Sequence, residues 1–548
     1  MNRRFPSLAA LAFIAGALAV GSCVEKNKSL GEDYIPENQR YDIYTAEFNL
    51  DDIEMRHPDS LSGNSLYKIT VGAIRDEVFG LTTRSSAFTI VPMADTLDFG
   101  DPGTQIFRGF HLSAPLDTVS CDDPSQAFIL QNLNVYELTS PLDPQSANPR
   151  IRYDSSKRIS KGIPVLNGAD SLLIDFNEDF GKKYMDIKAA DMDTITHYTK
   201  RFPGIYLTTD KPVGKGGRIN MFKLPIDVQS GYIEGAYATL RFRARYGKRG
   251  MVDTTFYFYL GPASLYDLNG VTNTTPSTYP QFAYDKTTYE TSSLEGKKAE
   301  DVIWFEGGRG VKPVVKAAAV REALRAEMSK HGDPSDMIVN KATIEFHFDA
   351  PDDYKEFSLY PVQLSPTCAI RTDTSITFAG LSDASAKTEN QGDIDRSNLK
   401  YAPDLSHHIQ ELIDLEDLSK ISNYDIWFLG MANETVSTSN SSSSSSDMSD
   451  YYNYLAYQSY YNNMYSGYGG YGGYGYGGYG YGNYGSYYSN YYNYAMLASM
   501  YSNTSSSSKT TKQLMMDTHR FYRIAIHGPK ASEGKPKLRI TYCVPMAE

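Results

Sequence analysis

Apolar and polar residues alternate with a period of two along much of this chain. The clearest case is residues 238–246, where Leu240, Phe242, Ala244 and Tyr246 interleave with Thr239, Arg241, Arg243 and Arg245. That period places one set on each face of a strand, so the segment is predicted to be half-buried β structure. Residues 247–250 (GKRG) are turn chemistry, and residues 252–260 (VDTTFYFYL) form a second aromatic and β-branched run. Together they predict an antiparallel hairpin that buries one apolar face. Further strands are predicted over 41–50, 127–138, 341–348, 357–364, 424–429, 521–526 and 538–542, most of them bounded by Pro, Gly, Asp or Ser.

Helical spacing is rarer. Val320, Leu324 and Met328 recur every fourth residue within 316–331, and Gly332 stands just past the end. This predicts a helix packed across a sheet. Asn177 is placed to cap a short helix through Tyr184, and 191–201 is another candidate. The expected fold class is mainly β, with tandem antiparallel β-sandwich or jelly-roll-like domains and a few short helices. The expected division is an N-terminal β part over 41–263, a linker rich in Thr, Ser, Pro and Tyr over 264–300, and a C-terminal β domain over 301–548.

Residues 437–508 are different material. A serine run leads into GYGGYGGYGYGGYGYGNYG and then a second serine run, and 20 of the chain's 44 tyrosines lie between Tyr451 and Tyr501. With no branched aliphatic core to bury, this tract is predicted to be a disordered insertion in the last domain. Its tyrosines, Tyr468, Tyr471, Tyr474, Tyr476, Tyr479 and Tyr481 foremost, offer flat apolar faces and hydroxyls for stacking on a glycan or partner.

The N-terminus changes the picture most. Arg3 and Arg4 form a basic head, 8–20 is an apolar run of 13 residues, and Gly21 and Ser22 lead into Cys23. The run is too short to span a bilayer and has the length of a signal core. Residues 1–22 are therefore expected to be a lipoprotein signal peptide, Cys23 the lipidated residue, and 23–40 a polar tether. Removing the signal takes away two arginines and no acid, so the formal charge becomes more negative than -12. An acidic exported chain is a poor candidate for nucleic acid, whose binding rests on neutralising phosphates. The expected partners are the membrane, through the anchor, and a glycan or envelope protein. Cys121, Cys368 and Cys543 remain after lipidation; an odd number allows at most one disulfide, and Cys368 with Cys543 is the expected pair.

No catalytic or metal signature stands out. H-E-x-x-H, C-x-x-C and G-x-S-x-G are all absent. His407 and His408 lie near Asp404, but neighbours on a strand would face opposite ways. Asp175, Asn177 and Asp179 have the spacing of a calcium loop, yet Phe180 occupies the position that needs glycine and Asp186 the position of a bidentate Glu. A strand end followed by a helix cap accounts for them. Residues 306–310 (EGGRG) lack the Lys-Ser/Thr of a phosphate loop and predict a tight turn presenting Arg309. Arg241, Arg243 and Arg245 form a cationic stripe, read as a solvated sheet face and secondarily as a contact for anionic head groups. No cofactor and no metal are expected.

Several segments, in order, carry a resemblance: SLGEDYIPENQRYDIYTAEFNLDD, VGAIRDEVFGLTTRSSAF, LNVYELTSPLD, RFPGIYLTTD and IVNKATIEFHF. This order resembles Bacteroidota lipoproteins that carry the domain of unknown function numbered 4270. The resemblance implies an outer-membrane lipoprotein of mostly β structure and brings no catalytic residues. The expected function is that of a noncatalytic binding, adhesion or envelope-complex accessory protein. The alternatives are a periplasm-facing subunit of an export or assembly machine and a surface glycan-processing enzyme.

Overall fold

The strand Tyr41–Asn49 pairs along its whole length with the strand Lys537–Pro545, at the other end of the chain. The computed structural model describes residues 40–545 except 59–60, 62, 66–67, 95, 144–147, 230–231, 262–282, 290–293, 372–375, 382, 384–389 and 439–508. The fold is mainly β, built from several antiparallel sheets with a few short helices. No helix among the described residues is long and apolar enough to cross a membrane.

Two large cores divide the molecule. One draws on a ten-stranded and a five-stranded sheet between Asn64 and Tyr289. Val71, Phe88, Val135, Leu207 and Phe222 of the first sheet share that core with Phe110, Leu112, Leu240, Phe242 and Phe258 of the second. Each fully buried side chain of this kind contributes roughly 1.5–3 kcal/mol, which is why the period-two pattern fixes the faces. The predicted hairpin is present as Tyr237–Arg245 and Met251–Leu260, with Leu240, Phe242 and Ala244 fully buried.

The other core gathers both ends of the described chain: Leu50, Ile53 and Met55 pack with residues from Ala299 through Val544. Besides the pairing of Tyr41–Asn49, the strand Ile53–Arg56 joins Lys312–Val315 and Lys297–Lys298. Residues 41–56, read from sequence with the N-terminal part, thus complete the C-terminal unit, and residues 68–289 form an excursion from it. The expected linker also needs correcting, because Ala283–Tyr289 is a strand of the ten-stranded sheet, paired with Gly80–Phe88.

The helices follow local chemistry. Asn177 Oδ1 accepts the Phe180 amide at 2.9 Å and starts the helix Glu178–Met185, so the calcium-like spacing is a helix cap. Ala317–Met328 buries Val320, Leu324 and Met328, as their spacing requires. Residues 191–201 divide into a 3-10 turn, Ala189–Met192, and the helix Ile195–Arg201. His407 and His408 belong to the helix Ser406–Asp414, not to a strand, and Asp383 accepts both of their amides, at 2.7 and 3.0 Å. The carboxylate from outside the helix satisfies amides that its first turn leaves open. Residues 357–364 begin in a 3-10 turn, Tyr354–Leu359, and only Gln363 and Leu364 belong to a strand, Gln363–Arg371. Cys121, Cys368 and Cys543 are all free thiols; Cys368 and Cys543 stand on different sheets, so the expected disulfide is not formed.

Candidate functional site

The two units meet at the EGGRG turn. Glycine is required at two of its positions by what lies against them. Gly308 has φ +59°, and a Cβ there would stand 1.8 Å from Arg84 Nη2; a Cβ on Gly310 would stand 2.2 Å from the Glu306 carboxyl carbon. The turn is therefore wrapped over charged side chains that are themselves buried. Thr82 donates to Glu306 Oε1 at 2.7 Å from the ten-stranded sheet, and the Val311 amide donates to Oε2 at 3.2 Å. Lys312 donates to the carbonyls of Glu306 and Gly310 and lies 4.5 Å from the Phe305 ring centroid. Burial pushes the Glu306 carboxyl up and the Lys312 ammonium down to about 7.

Arg84, one of the largest fully buried side chains, donates to Thr287 and pairs with Asp285 at 3.5 Å. His519 reaches the same junction from the turn that follows Lys509–Met516. Its Nδ1 lies 3.1 Å from Thr70 Oγ1 and 3.4 Å from Asp285 Oδ2. The residue types match a hydroxyl–histidine–carboxylate relay, but the geometry does not. A relay uses the two ring nitrogens for the two partners. Here hydroxyl and acid meet the same nitrogen, and Thr70 is fully buried. The cluster is a structural joint. Arg523 adds to it by pairing with Asp76 at 3.2 Å and with Asp122 at 3.8 Å.

Beside this joint opens a cleft of about 280 Å³ lined by Pro58, Gly63, residues 148–151, residues 284–287, Tyr289 and Arg309. Arg309 forms part of its wall. It is buried instead of presented, and donates to the carbonyls of Asp285 and Leu61 at 2.9 and 2.6 Å and to Asn148 Oδ1 at 2.6 Å. Tyr284 donates to the Asp143 carbonyl at 2.7 Å, and Tyr289 stacks on His57 with ring centroids 3.5 Å apart. Asp285 is the one acid of the lining, and its charge faces Arg84 and His519. Arg150 and Lys286 are exposed, and neither side chain makes a hydrogen bond or ion pair among the described residues. The lining thus combines two uncommitted cations, a fixed guanidinium and two tyrosines in a chain of net negative charge.

The residues singled out from sequence do not form this cleft. Cys23 and Tyr468, Tyr471, Tyr474, Tyr476, Tyr479 and Tyr481 lie outside the described residues. Arg241, Arg243 and Arg245 share one face of Tyr237–Arg245, with Arg241 and Arg245 exposed and Arg243 at 3.9 Å from Asp253 on the next strand. Of the motifs noticed in the sequence, only EGGRG contributes, through Arg309. The rest of the lining is scattered over more than two hundred positions, and no local pattern marks it. Among the described residues, no group of three or more His, Cys, Asp or Glu is placed to hold a metal. No family model matches this chain, and no curated protein or solved structure matches it either.

Proposed function

We propose that this chain is a noncatalytic, lipid-anchored outer-membrane protein that binds an anionic glycan in the cleft beside the EGGRG turn. The observation that carries this reading is the pairing of the uncommitted charges of Arg150 and Lys286 with a third cation, Arg309, held in place by three acceptors. Arg150 and Lys286, exposed on a wall that the buried Arg309 holds in place, favour an anionic ligand. Cys23 supplies the anchor, and the resemblance of several segments, in order, to lipoproteins carrying domain of unknown function 4270 favours the same compartment. Sandwich-like closure of each unit and a mobile insertion belong to the same proposal, the insertion beginning after Thr438, which is still paired in a strand.

An array of acidic and neutral glycans tests it. The wild-type protein is expected to retain acidic members, and Arg150→Ala/Lys286→Ala to lose them with an unchanged melting temperature. No retention, or retention that survives the double substitution, contradicts the reading. A periplasm-facing assembly subunit would instead copurify with a barrel protein and retain no glycan.

A further inference from the structure

The sheet that joins the two ends of the chain has an outer face whose character changes along its length. Inner positions Leu538, Ile540, Tyr542 and Val544 are buried in the core, so alternate residues face outward. Ile43 stands opposite Cys543, and Cys543 opposite Ile338, which makes one row across three strands. Ile43 is 70% exposed, Ile338 52% and neighbouring Tyr41 43%, while Cys543 is partly exposed. The next row is Thr45, Thr541 and Lys341, and the row after it brings Glu47 opposite Arg539, paired at 2.9 Å. The face is apolar at one end and charged at the other.

The apolar end is where the tether arrives. Tyr41 opens the strand, and Cys23 lies 18 positions before it. A random coil of that length has a root-mean-square span of about 20–25 Å. This end of the sheet is therefore the part of the fold held nearest the acyl chains. We propose that Tyr41, Ile43, Ile338 and Cys543 rest in the headgroup region of the membrane, seating the terminal sheet on the bilayer. The inference rests on the lipid-anchor reading. So small a patch binds lipid weakly by itself, and the tether makes the contact persistent by raising its effective concentration. Tyrosine and isoleucine suit that depth, and the Thr and charged rows stay in water.

Cys543 reports on the contact. The test uses the chain from residue 23 onward with a histidine tag before that residue, on phosphatidylethanolamine–phosphatidylglycerol vesicles containing a nickel-chelating lipid. Cys23→Ser and Cys121→Ser leave Cys543 as the only exposed thiol, since Cys368 is buried. Modification by a charged maleimide is expected to slow roughly tenfold on the vesicles relative to protein released with imidazole. Adding Ile43→Asp and Ile338→Asp is expected to remove the protection. Equal rates on and off the vesicles, or protection that survives the two aspartates, overturn the proposal. Slow modification that persists after release and grows with protein concentration assigns the face to a second copy of the chain and also overturns it. Because the tag supplies the anchor, the result does not depend on native acylation. Mass spectrometry of the N-terminal peptide from native membranes tests that separately.

Discussion

Ser120 and Phe521 exchange two hydrogen bonds across the junction of the two units: the Ser120 hydroxyl donates to the Phe521 carbonyl at 2.6 Å, and the Phe521 amide donates back to Ser120 Oγ at 2.9 Å. One buried side chain thus satisfies both backbone groups of a residue in the other unit. Ser120→Ala would strand a buried N–H and a buried C=O, at a cost of about 1–3 kcal/mol each before relaxation. Chemical denaturation should show a lower midpoint for Ser120→Ala, and a midpoint unchanged from wild type would refute this description of the junction.

The EGGRG turn is the second part of the junction that tolerates no side chain. Gly308→Ala sets a methyl against the buried Arg84 guanidinium at a positive φ. The loss should exceed the roughly 1–2 kcal/mol of an ordinary left-handed glycine replacement and reach roughly 2–4 kcal/mol. Gly80→Ala, also at positive φ but with open space around its Cβ, is the matched control and isolates the Arg84 clash. Equal losses in the two variants would show that the clash costs nothing.

Acid stability should depend on His408. Burial holds its imidazole down at about 4, and Nε2 stands 3.0 Å from the Tyr424 carbonyl, with Cys368 Sγ 3.9 Å from Nδ1. The unfolded chain takes up a proton near the ordinary histidine value of 6.5, and the fold does not until about 4. Stability from this group is therefore complete above about pH 6.5 and is lost as the pH falls toward 4, by about 3 kcal/mol in total. Asp383, raised by burial, acts with the opposite sign near the acid end. Stability against pH for wild type and His408→Gln should converge as the pH falls through this window, and parallel curves would exclude His408 as the source.

Strands Ile426–Thr438 and Lys509–Met516 pair register by register up to Thr438 opposite Lys509, at the two ends of 439–508. The intervening segment can thus be replaced by a hairpin turn without moving either strand. Removing the long closure should leave the β-sheet signal in the far-ultraviolet circular dichroism in place and raise stability by no more than about 3 kcal/mol. A collapse of the fold on this replacement would mean that the tract supports the sheet.

The sequence showed the hairpin at 237–260, the helix at 317–328 and the Asn177 cap because each depends on residues close along the chain. It did not show that Tyr41–Asn49 belongs with the last strand. Pairing across nearly the whole chain leaves no mark beyond alternation, and alternation alone does not name a partner. The strand pattern over 357–364 is realised only from Gln363, because Pro361 has no N–H to give a ladder and the chain before it turns as Tyr354–Leu359. The cleft stayed hidden for the same reason as the terminal pairing. Arg309 was visible as a turn residue, but its three acceptors come from Leu61, Asn148 and Asp285. Those segments become neighbours only when the ten-stranded sheet closes on the terminal unit.

The proposed ligand site has three candidates: the cleft, the Arg241–Arg243–Arg245 stripe and the tyrosine-rich sequence between Thr438 and Lys509. A photoreactive sulfated oligosaccharide, crosslinked to the full chain and mapped by mass spectrometry, separates them directly. The cleft account predicts adducts on peptides that contain Arg150 or residues 284–289, competed away by the unlabelled oligosaccharide. Adducts confined to the arginine stripe or to 437–508, or no competed adduct at all, would contradict it.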